Sequence, residues 1–136
     1  MKLPLAVDSS ALIAIIKGEP EEHAFADALL HGSPIIGWPT ILETRIWLLR
    51  HSDGQARRWF ENWLSTALTV AFDGELERLA AAAYDRFGKG RHPAALNFGD
   101  CMAFAVARHH DVPLLFKGSG FAKTDLKDHE ASVVTA

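Results

Sequence analysis

Cysteine is almost missing from this chain. Its 136 residues hold one, Cys101, so no internal disulfide can staple the fold. That residue lies in an apolar stretch and reads as a small core side chain in a reducing compartment, with the cytoplasm as the expected location. Neither CxxC nor HExxH occurs, which removes the usual zinc patterns. The adjacent His109 and His110 point to different faces of any helix and read as surface residues. No apolar run approaches the roughly 20 residues that cross a bilayer, and Met1–Asp8 is too brief for a secretory core and lacks a cleavage site. No membrane association is expected. An excess of positive charge is missing too: 14 Lys and Arg stand against 17 Asp and Glu, a net charge of −3. That balance argues against broad coating of DNA but leaves room for a nucleic-acid enzyme, whose metal site gathers acids. Repeats, low-complexity tracts and linkers are absent, so residues 1–136 are expected to form one domain.

What is present centres on Asn97-Phe98-Gly99-Asp100-Cys101-Met102, which runs on without a polar face to Ala107. The pattern predicts a helix buried nearly all round, with Asn97 as N-cap and Gly99 allowing a tight entry. Asp100 at its mouth is costly unless backbone N–H groups, the helix dipole or a cation compensate it. The plainer alternative is that Asp100 serves only the helix start.

Before that stretch, Leu3–Val7 reads as a buried strand and Ala11–Ile16 as a helix ending near Gly18. A second helix is expected over Glu21–Leu30 and a strand over Ile35–Gly37. Pro39-Thr40 opens a helix whose stripe is Leu42, Ile46 and Leu49, widened by Trp47 and Leu48. Gln55–Leu64 is another helix, Leu68–Phe72 a strand, and Asp73 caps a helix reaching Phe87 with Leu76, Leu79, Ala80 and Ala83 inward. Gly88–Pro93 reads as a flexible basic loop, Val112–Phe116 as a strand and Ala131–Val134 as a weak last strand. Strands alternating with helices predict a parallel sheet covered on both faces, a three-layer α/β domain.

Such sheets hold ligands beyond the carboxyl ends of their strands. Asp8 follows the first strand directly, Glu43 lies one turn into the helix after the second, and Asp100 begins the buried helix. Asp8 also fits a helix cap, and Glu43 a solvated helix residue. All three sit in apolar surroundings, however. Two carboxylates within about 5 Å would repel by roughly 3 kcal/mol at an effective dielectric near 20. Without a cation one of them would protonate. A hard divalent cation removes the penalty, and oxygen-only ligands suit Mg²⁺ or Mn²⁺.

The blocks Val7-Asp8-Ser9-Ser10-Ala11-Leu12, Pro39-Thr40-Ile41-Leu42-Glu43 and Asn97-Phe98-Gly99-Asp100-Cys101-Met102-Ala103 occur in the order seen in PIN-domain ribonucleases. The chain resembles the VapC toxins of bacterial type II toxin–antitoxin pairs over essentially its whole length. His92-Pro93-Ala94-Ala95-Leu96 and Leu114-Leu115-Phe116-Lys117-Gly118 look like one VapC branch. The resemblance implies a PIN-like three-layer α/β/α fold with a central parallel sheet of four to five strands. It also implies a Mg²⁺- or Mn²⁺-dependent endoribonuclease, usually a homodimer, held inactive by a VapB antitoxin. Asp8 and Asp100 would be metal ligands, and Glu43 would complete the set directly or through water. Relatives commonly carry a further acid in the stretch matching Lys117–Phe121. This chain has none, so one firm metal position and a weaker or absent second one are expected, with Ser119 holding water in place of the acid. Asp125 is the nearest later carboxylate.

RNA also needs cations. Lys89, Arg91 and His92 before the central helix are the nearest candidates, then Lys117, with a Ser9 or Ser10 hydroxyl orienting a ligand or water. Exposed, solubilising charges explain the basic loop equally well. Arg45 and Arg50 would meet phosphate or an antitoxin carboxylate. Arg57-Arg58 with Trp59 and Trp63 suggest a partner groove, since aromatics and Arg anchor interfaces. Two other functions fit parts of the pattern: an aspartyl-phosphate phosphotransferase built on Asp8, which lacks the usual second acid at Ser10, and a non-catalytic α/β RNA-binding module.

Overall fold

Alternation of side chains along four short strands divides the interior in two. In the computed structural model, which describes residues 1–135, the order of elements is β1 (Pro4–Val7), α1 (Ser9–Lys17), α2 (Glu22–His31), β2 (Ser33–Gly37), α3 (Trp38–His51), α4 (Gly54–Leu64), β3 (Leu68–Val70), α5 (Gly74–Phe87), α6 (Phe98–His110) and β4 (Leu114–Leu115). The strands pair in parallel in the order β3-β2-β1-β4, with Ala6 opposite both Ile35 and Leu114. Leu5, Val7, Ile36 and Leu115 project into a core built with α1 to α4, while Ala6, Ile35 and Leu114 project into a second core with α5 and α6. That split is the period-two geometry of a strand expressed on both faces. The result is a three-layer α/β/α arrangement of six helices about a four-stranded parallel sheet among the described residues.

α6 is the element buried as its sequence predicts: Cys101 and Ala103–Ala107 are all inaccessible. Gly18 ends α1 in the left-handed region at φ 67°, which favours glycine, and its N–H reaches the carbonyls of Ala14 and Ile15. α3 departs from expectation. Leu42, Ile46 and Leu49 face outward at 58%, 46% and 65% exposure, and Ile41, Thr44 and Leu48 face the core. Two polar-looking positions hide the inner face in the sequence. Thr44 is wholly buried because its hydroxyl donates to the Thr40 carbonyl at 2.9 Å, so no polar group is stranded.

The last expected strand, Ala131–Val134, is not one. An isolated parallel bridge, Lys117 to Val133, joins this segment to the sheet edge, and a second, Leu114 to Asp128, lies just before it. Ser132 takes over part of the ladder: its hydroxyl accepts from the Phe116 N–H and donates to the Leu114 carbonyl. β3 stops at Val70 and leaves Phe72 beyond the strand end, and β4 is confined to two residues after Pro113, which has no N–H for a ladder. The basic loop after α5 is tied down by backbone bonds from Lys89 to Leu96 and from Leu96 to Phe87.

The exchange of faces on α3 is measurable. Ile41→Ala should lower the unfolding free energy by about 2–5 kcal/mol. Ile46→Ala should stay within about 0.5 kcal/mol when urea unfolding is followed at a concentration where the chain is monomeric.

Candidate metal centre

Asp8 leaves the carboxyl end of β1 as the N-cap of α1, with extended backbone (φ −88°, ψ 153°). Its Oδ2 accepts the Ser10 N–H at 3.0 Å. Its Oδ1 is buried with no partner among the described residues, although the whole residue is only 3% exposed. A buried carboxylate oxygen left unpaired is rare and expensive. Capping therefore occupies one oxygen of Asp8 and leaves the other unexplained.

Asp100 repeats the pattern at the start of α6. Asn97 Oδ1 accepts the Asp100 N–H at 2.8 Å, and Asp100 Oδ2 accepts the Asn97 N–H at 3.0 Å, a reciprocal capping box. Its second oxygen remains free for other work, so helix capping and ligation do not compete for the same atom. Glu43 comes from α3 and passes directly over Gly99, where any Cβ would overlap its carboxylate. The glycine is needed for this close approach rather than for a special φ. Ser9 lines the same pocket as Glu43.

The three acids line one open pocket of about 450 Å³, with Ser9, Ser10, Asn97 and Lys117. Burial pushes the Asp8 carboxyl up to about 7, Asp100 and Glu43 add to that rise, and the Ser10 bonds oppose it. Glu43 is raised by burial and by the charge of Asp100, against the Ser9 hydroxyl; Asp100 is raised by burial against the Asn97 N–H. Among the described residues no three of His, Cys, Asp and Glu already converge to grip an ion as they stand. Shared pocket, mutual repulsion and the unpaired Asp8 Oδ1 nonetheless make a donor set of oxygens alone that fits a hard cation once the carboxylates turn inward. Cys101, next to Asp100, is no rival centre, since burial lifts its thiol to about 11.

Of the other residues singled out in the sequence, Ser10 and Lys117 line this pocket, and Ser119, Lys89 and Arg91 do not. Ser10 Oγ accepts the Lys117 N–H at 3.0 Å, linking β4's exit to α1. The Lys117 ammonium pairs with Glu19 at 2.8 Å and Glu21 at 2.5 Å, so it is already neutralised. Arg91 pairs with Asp85 at 3.0 Å, and Arg45 with Glu61 at 2.6 Å. Asp125 is held away from the pocket by Arg86 and Arg108. Glu19 is the pocket residue that sequence reasoning missed. It stands 98 positions from its partner, and no local pattern announces such a contact.

Residues 5–127 match the PIN domain family. Ribonuclease VapC36 of Mycobacterium tuberculosis is 41% identical over 127 residues, 90% of this chain and 91% of that one. Ribonuclease VapC of Mycolicibacterium smegmatis is 37% identical over 126 residues, covering 90% and 97%. Among solved structures, VapC20 of Mycobacterium tuberculosis, described as a sarcin-ricin loop cleaving toxin, superposes with a TM-score of 0.73 at 18% identity, covering 92% and 98%. VapBC2 of Rickettsia felis, bound to a DNA fragment from its promoter, superposes at 0.69 with 11% identity and 98% of both chains. The chain belongs to the VapC ribonucleases of the PIN-domain family.

Proposed function

We propose that the pocket of Asp8, Glu43 and Asp100 is the metal centre of an endoribonuclease toxin that hydrolyses RNA phosphodiester bonds. The buried, unpartnered Oδ1 of Asp8 is the observation that carries this reading. Asp8 and Asp100 hold Mg²⁺, or Mn²⁺ in its place, and Glu43 completes the set directly or through a water. The bound ion supplies a more acidic water and stabilises charge on the phosphoryl oxygens. The protein's own part is orientation. Ser10 N–H fixes one oxygen of Asp8, and the capping box fixes the angle of Asp100. The fully paired Lys117 shapes the pocket mouth with Glu19 and leaves phosphate charge to the metal. With no acid in Lys117–Phe121, one metal position is strong and a second weak or absent.

The partner is a VapB-like antitoxin. The surface that suits it lies around Trp59, between a cavity of about 380 Å³ lined by Ile15, Ile16 and Ala56 and one of about 440 Å³ lined by Leu29, Leu30 and Trp63. Trp63 Nε1 is buried without an acceptor there. The outward stripe of Trp38, Leu42, Ile46 and Leu49 on α3 supports a homodimer, because four large apolar side chains on one helix face exceed the scattered exposure of a monomer. No helix is long and apolar enough to cross a membrane among the described residues; the location that goes with the proposed activity is the cytoplasm.

Asp8→Asn and Asp100→Asn should each lower RNA cleavage by about 10²–10³, and EDTA should abolish cleavage by the parent until Mg²⁺ or Mn²⁺ is restored. Undiminished cleavage by both variants would sink the assignment. Metal and proton compete for the same carboxyl, so stability carries a second signature. In EDTA the folded Asp8 keeps its proton to about pH 7 whereas the unfolded chain releases it near 4. Stability should therefore fall as pH rises from about 4 to 7, by a few kcal/mol at most, and Asp8→Asn should flatten that slope. At pH 7.5, MnCl₂ at about 100-fold its Kd should recover about 2.7 kcal/mol in the parent, read by thermal unfolding, and nothing in Asp8→Asn.

A further inference from the structure

The start of α6 borders a second concavity, on a different side of the helix from the acids. About 370 Å³ opens between α5 and α6, lined by Phe72, Glu77, Tyr84, Phe98, Cys101 and Met102. Its volume falls in the range of roughly 300–1,000 Å³ that small ligands fill. Phe72 lies just past the end of β3, at the edge from which Asp8 also departs. Phe98 sits two residues before Asp100 in the first turn of α6, about 3 Å from it along the helix axis and about 200° around it, so the cleft and the acids flank the same helix end from different sides.

The lining is unusual for a surface cleft. Phe98 is 77% exposed and Tyr84 41%, so two aromatic rings are spent on water, not on either core. Tyr84 is held in place by its hydroxyl, which donates to the Lys89 carbonyl at 3.0 Å. Glu77 is the one charged side chain in the lining. Aromatic faces without basic groups do not bind a phosphate backbone. They suit a flat, uncharged, π-rich group, and unstacked RNA bases are recognised by stacking of this kind.

Building on the nuclease reading, we propose that this cleft is a nucleobase subsite. A base of the bound RNA leaves the stack, passes round the N-terminus of α6 and seats against the rings of Phe98 and Tyr84. Its exocyclic amino group points to Glu77, which favours cytosine, adenine or guanine over uracil, the base without such a group. The subsite lies outside the acid pocket, so it sets which RNA is held and not how the bond is broken.

The test uses the full chain with fluorescein-labelled 12-mers of oligocytidylate and oligouridylate. Binding is read by fluorescence anisotropy in EDTA, and cleavage is read separately with Mn²⁺. Phe98→Ala should weaken oligocytidylate binding about tenfold or more, and Phe98→Trp should restore it. Glu77→Gln should shrink the preference for oligocytidylate over oligouridylate. Parent-like binding by Phe98→Ala, or no binding of either 12-mer by the parent, overturns the subsite. So does sedimentation in which Phe98→Ala turns a dimer into a monomer, since a second copy would then cover the cleft. Metal-dependent cleavage that survives alongside an inert Phe98→Ala leaves the nuclease standing and removes only the subsite. Phe98-dependent binding without any metal-dependent cleavage does the reverse.

Discussion

The site is organised around one oxygen atom: Oδ1 of Asp8, shut away from water with no donor among the described residues to give it a hydrogen bond. Such a group is tolerated only where the surrounding fold outweighs its cost. Here Val7, one residue earlier, is locked into the core of α1 to α4, and Ala6 into the core of α5 and α6. The backbone N–H of Asp8 is itself bonded to the Leu115 carbonyl at 3.0 Å. The carboxylate has nowhere else to go.

The two cores lie on opposite faces of one sheet, and α3 and α6, one from each, meet at its end. Two glycines make the meeting close. A Cβ at Gly37 would come within 2.9 Å of Val106, and one at Gly99 would run into Glu43. Close helix approach through small residues thus brings the carboxylate of one core's helix to the mouth of the other's. The acid pocket is a product of both packings, and the apolar cleft on the far side of Phe98 is a product of α5 and α6 alone.

Much of this was legible in the residues. Strand–helix alternation announced the parallel sheet, and the unbroken apolar run after Asp100 announced a helix buried on every side. Asp8 could be placed at the carboxyl edge because the first strand ends there, and Asp100 because the helix that it opens leads into the fourth strand. The inner face of α3 was not legible, since Thr40 and Thr44 look polar until the backbone carbonyl that satisfies Thr44 is seen. Nor was the pairing of Lys117 with Glu19 and Glu21, which turns an expected phosphate ligand into half of an ion cluster. The same holds for Arg91, taken up by Asp85. Long-range ion pairs carry no periodicity, and a cation read from sequence is only as free as partners that sequence does not name.

The glycine under Glu43 has an evolutionary corollary. The obstacle at position 99 is the mobile end of a side chain, so an alanine there pushes Glu43 aside and leaves the helix and both cores whole. With Glu43 in the role proposed for it, a cell that loses the antidote to such a toxin would have an escape route in a single codon that encodes no acid at all. Survivors of that selection would carry a soundly folded, harmless protein whose three carboxylates are all still spelled out in its gene.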